Sequence, residues 1–95
     1  MSVFPREASL EEQRRRWEAI KFSLNKQKQK LEKQIGMINR DLNVITEHID
    51  ILKPHDEYAG VQTEINRLEE RKTTLEKEIA GLQKQIKGIK DDLNL

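Results

Sequence analysis

Leu52-Lys53-Pro54-His55-Asp56-Glu57-Tyr58 interrupts a chain whose apolar residues otherwise recur at helical spacing. Inside an α-helix, Pro54 would lose the hydrogen bond to the Asp50 carbonyl and clash with it, at a cost of about 3 kcal/mol. It also drives Lys53 out of the α region. In a turn, or at the very start of a second helix, the same proline is tolerated. Asp56 is placed to cap that second helix, and Glu57 suits its positive N-terminal dipole. The stretch therefore predicts a turn over 53–56, between a helix over 10–52 and a helix over 57–94.

The register on either side agrees. With Trp17 at heptad position d, that position recurs at Leu10, Leu24, Leu31, Ile38, Ile45 and Leu52, and a falls on Arg14, Lys21, Lys28, Ile35, Leu42 and Ile49. After the turn, d is Val61, Leu68, Leu75, Leu82 and Ile89, and a is Tyr58, Ile65, Lys72, Ile79, Ile86 and Leu93. Twenty of these 24 seam positions are apolar, where a composition of 35% hydrophobic residues gives about 8 by chance. Carried through the turn, the first register misses the second by two residues, so the helices do not form one rod. A sustained a/d stripe on each half points to an all-α fold, an antiparallel coiled-coil hairpin. With the reversal centred near residue 55, Leu52 opposes Tyr58, Ile49 opposes Val61, Ile45 opposes Ile65, and Leu42 opposes Leu68. Farther from the turn, Ile35 opposes Leu75, Leu31 opposes Ile79, Leu24 opposes Ile86, and Trp17 opposes Leu93.

Upstream, Ser9-Leu10-Glu11-Glu12 has the form of a capping box and predicts the start of the first helix, leaving 1–9 as a flexible arm. The four basic residues in the seam (Arg14, Lys21, Lys28 and Lys72) are read as snorkelling, their stems covering apolar neighbours. Three of them precede Leu31, so packing is expected to loosen toward that end.

A single seam leaves the outer flanks of both helices wet, and small cores of that kind are commonly completed by oligomerisation. Met37, Val44 and Ile51 recur at seven-residue spacing beside the seam, while the second helix carries Gly81 and Gly88 at the equivalent positions. These five residues are the expected oligomer face, with a four-helix bundle as the simplest product. The expected partners are a second copy of the chain and another protein.

Charge and composition exclude other classes. Eighteen basic and 17 acidic residues leave a net charge of +1, which gives no bulk attraction to nucleic acid. There is no cysteine, hence no disulfide, zinc–thiolate site or cysteine nucleophile. No apolar run reaches the roughly 18 residues of a membrane span, and Met1-Ser2-Val3-Phe4-Pro5-Arg6 lacks a signal peptide's apolar stretch, so a cytoplasmic protein is expected. No Gly-rich phosphate loop and no nucleophile with a base is present, so neither enzymatic activity nor a cofactor is expected. His48 and Asp50 point to different helix faces and form no metal-ligand pair.

Two further surfaces follow from charge segregation. Residues 1–34 carry nine basic and five acidic groups, and residues 35–62 carry two and five. Folding brings Glu47, Asp50, Asp56 and Glu57 to an acidic tip. The segment Asp56-Glu57-Tyr58-Ala59 resembles the Asn-Ala-Glu-Tyr region that follows the tip in the bacterial transcript-cleavage factors. That resemblance covers about 20 residues and implies a hairpin effector inserting into RNA polymerase, its tip carboxylates offered to the catalytic metal. The chain departs from that family in its tip motif and in the family's second domain. At the other end, Arg15, Arg16, Lys26, Lys30 and Lys33 form a basic face that would suit nucleic acid or another anion. Trp17, expected in the seam, is not counted as available for stacking.

Overall fold

The structure, a computed structural model, describes residues 6–94. It contains α1 (Arg6–Leu52), a 3-10 turn (Lys53–His55) and α2 (Ala59–Leu93). The two long helices pack against each other as a hairpin-like pair, 86 × 16 × 15 Å along its principal axes.

The reversal is built by the backbone alone. Pro54 occupies one of the first two positions of the 3-10 turn, where its missing N–H is no loss. The Asp56 N–H donates to the Lys53 carbonyl (3.2 Å) and the Tyr58 N–H to the His55 carbonyl (3.3 Å). Tyr58 is extended (φ −88°, ψ 127°), and its carbonyl accepts the first bond of α2 from Gln62 at 3.0 Å. The cap expected at Asp56 thus falls two residues too early: the N-cap is Tyr58, and no side chain bonds there. Among the described residues no non-glycine takes positive φ and no glycine does either, so the turn needs no glycine.

At the other end, α1 starts at Arg6 rather than after Ser9. Of the arm expected over 1–9, residues 6–9 continue the helix and 1–5 lie outside the described residues.

The apolar core is a single line. Ile45, Ile49, Ile65, Leu68 and Leu75 form one buried cluster, against which Ile38, Leu42, Leu52 and Val61 pack half-buried. Ile86 is buried farther along. No side chain among the described residues is sealed completely from water, as expected when two cylinders meet along one seam. Lys28 and Lys72 are half-buried within the stripe, and the Lys28 ammonium reaches Glu32 at 3.9 Å.

Opposed residues differ from the expected pairing by about one heptad. Ile35 lines one groove with Ile86, and Leu31 another with Ile89, ten to eleven residues beyond the expected Leu75 and Ile79 and so about one helical turn past a shift of seven. Tyr58 is 61% exposed instead of covering Leu52. The cause is the length of the reversal: α2 begins at Ala59, so the chain turns about a point near roughly residue 58 rather than 55. Moving that centre by half a heptad moves every partner by a whole one, which sets Ile35 opposite Leu82 and Leu31 opposite Ile86 and keeps a against d.

One consequence is an overhang. At 1.5 Å per residue, α1 (47 residues) is about 70 Å long and α2 (35 residues) about 53 Å. From Leu10 to Ser23 every residue of α1 is exposed, and half-burial begins at Leu24, level with the end of α2. Trp17, expected against Leu93, is 36% exposed for the same reason.

Candidate functional site

The exposed apolar residues fall on two parts of α1. Met37, Val44 and Ile51 are 65%, 64% and 68% exposed, one above another beside the seam. Helical geometry explains the row: a seven-residue step returns the side chain to within 20° of its starting direction. A shallow groove begins at Met37 and Ile38 and has Gly81 and Leu82 as its other wall. It continues past Gln34 and Gln85 to Lys30, Leu31, Gly88 and Ile89. The structure therefore brings Met37 beside Gly81, while Gly88 lies beside Lys30 and not beside any of the three apolar residues. A Cβ built on either glycine meets nothing within 4 Å, so the groove is open there.

The second exposed set is on the overhang, where Leu10, Ile20 and Phe22 stand 60%, 49% and 64% exposed around Trp17. The heptad pattern pairs Leu10 and Trp17 of this stretch with the seam. The available signal was the basic pair Arg14 and Lys21 at a positions, which are costly opposite an apolar helix and harmless without one.

The acidic residues Glu47, Asp50, Asp56 and Glu57 are all exposed around the turn. Among the described residues no three acidic, histidine or cysteine side chains are grouped to hold a metal ion. The basic residues Arg15, Arg16, Lys26, Lys30 and Lys33 are likewise exposed. Arg15 and Arg16 ride on the overhang, and the Lys26 ammonium sits 4.9 Å from the Phe22 ring centroid, a cation–π contact. Lys30 separates from these, lining the groove beside Gly88.

One ion pair was not foreseen. The Arg67 guanidinium donates two bonds to the Glu64 carboxylate, at 2.6 and 3.1 Å. The Arg67 hydrogen bond holds the Glu64 carboxyl below the usual carboxylate range, with His48 adding a smaller push in the same direction. Glu64 in turn raises Arg67.

No helix among the described residues is long and apolar enough to cross a membrane. Compared with protein-family models, curated proteins and solved structures, the chain matches none.

Proposed function

We propose that this chain is a non-enzymatic coiled-coil hairpin that self-associates through the Met37–Val44–Ile51 row and serves as an assembly module for a protein partner. The observation that carries the reading is the row itself. Three apolar side chains, each about two-thirds exposed, repeat at heptad spacing on a helix pair with no fully sealed core. Scattered exposed apolar residues are ordinary, but a contiguous line of them marks an interface. The thin core supplies the motive, since a pair of helices held along one seam gains stability when a further surface is covered.

Light scattering coupled to size exclusion tests this over a concentration series. The expected result is a mass that rises from one chain toward an oligomer. Val44→Asp should shift the series toward the monomer while leaving the helical circular dichroism unchanged. A mass of one chain at every concentration, indifferent to Val44→Asp, would remove the proposal.

A further inference from the structure

We infer that the second copy lies antiparallel, its α1 against this α1, with Val44 on the two-fold axis. The inference rests on the self-association proposed above and adds its geometry. In an antiparallel pair centred on Val44, residues equidistant from 44 in opposite directions meet. Met37 then meets Ile51 of the second copy, and Ile51 meets its Met37, so the apolar row covers itself completely. The groove wall at Gly81 lies beside Met37 and leaves room for the incoming Ile51.

The flanks of the row are complementary in this arrangement. On one side stand Arg40 and Glu47, on the other Asp41 and His48, all exposed. Among the described residues none of the four is engaged in an ion pair within its own chain. The two-fold sets Arg40 against Glu47 and Asp41 against His48, and each contact occurs twice. Farther out, Lys30 and Lys33 lie 14 and 11 residues before Val44. They meet the second copy's turn, the segment that carries Asp56 and Glu57. A parallel pair would instead stack the two acidic turns on each other and Lys30 on Lys30, and like charges at short range are unfavourable.

Size sets the strength to expect. The turns reach about 22 Å from the axis on each side, so the copies overlap by about 43 Å. A strip about 10 Å wide over that length buries about 900 Å² in total, below the roughly 1,200 Å² of stable specific interfaces and in the range of transient ones. The dimer is therefore weak and concentration-dependent.

The absence of cysteine makes a single spin label unambiguous. Asn25→Cys is exposed, away from the row, and 19 residues from Val44. Labelled there, the antiparallel dimer gives an intermolecular distance of about 57 Å or more, and a parallel dimer less than about 30 Å. A charge exchange gives a second reading in unlabelled protein. Arg40→Glu should weaken dimerisation about tenfold, and Arg40→Glu with Glu47→Arg should restore it to within about threefold. In a parallel pair Arg40 would meet Asp41, so the exchange would not rescue. A dimer with a short label distance or without rescue overturns the antiparallel arrangement and leaves self-association standing. A monomer at every concentration removes both.

Discussion

Replacing Ile65 by alanine tests whether the line of buried residues holds the helices together. Ile65 is 4% exposed, the most buried side chain in the cluster. The change removes three carbons, which at about 0.8 kcal/mol each comes to about 2.4 kcal/mol. A residual cavity adds about 0.5 kcal/mol, because a one-seam core collapses or hydrates easily. Alanine's better helix propensity offsets about 0.4 kcal/mol, leaving a loss of about 2.5 kcal/mol. Phe22→Ala is the contrast. It deletes a larger side chain, but one 64% exposed, with a cation–π contact to Lys26. Its expected loss is about 0.5 to 1 kcal/mol. Urea denaturation followed at 222 nm measures both, at one fixed protein concentration so that any association contributes equally by mass action. With a slope of about 1.5 kcal/mol per molar, Ile65→Ala should lower the midpoint by about 1.7 M. Equal losses for the two variants, or a loss under about 1 kcal/mol for Ile65→Ala, would refute the seam as the source of stability.

Tyr58→Ala should cost less than about 1 kcal/mol in the same assay, because the ring is 61% exposed; a loss near that of Ile65→Ala would restore the pairing of Tyr58 with Leu52. Gly36→Ala should stabilise by about 1 kcal/mol, since a Cβ there meets nothing within 4 Å and α1 gains a better helix former. The Glu64 carboxyl should titrate below the usual carboxylate range by NMR, and Arg67→Met should raise it. Its folded-state value is depressed, so its small contribution to stability is present above the ordinary carboxylate range and fades as pH falls through the folded midpoint.

The turn and the two helices are legible because proline chemistry and heptad periodicity are local. Pro54 and the two-residue slip around it mark the break before any tertiary contact is considered. The pairing of one helix with the other is not local, and a heptad repeat is blind to a shift of seven. Ile35 against Leu75 and Ile35 against Leu82 satisfy the same a-to-d rule, and only the length of the reversal separates them. That length depends on Tyr58 staying extended after a 3-10 turn, which residue type does not dictate. Ser9 misled for a related reason. A capping box needs a helix that stops, and Arg6-Glu7-Ala8 is itself good helix-forming sequence. The exposed row of Met37, Val44 and Ile51 was visible as spacing, whereas the groove beside Gly81 needed the second helix in place.

Because α1 outruns α2, the protein's sole indole stands on the single-helix overhang, one heptad past the level at which α2 ends. Trp17 emission therefore reports fraying of that overhang, while the far-ultraviolet signal reports helix along the whole rod. The fluorescence transition should precede the dichroism transition on heating. Disagreement between the two probes is thus built into the architecture and does not by itself signify a folding intermediate.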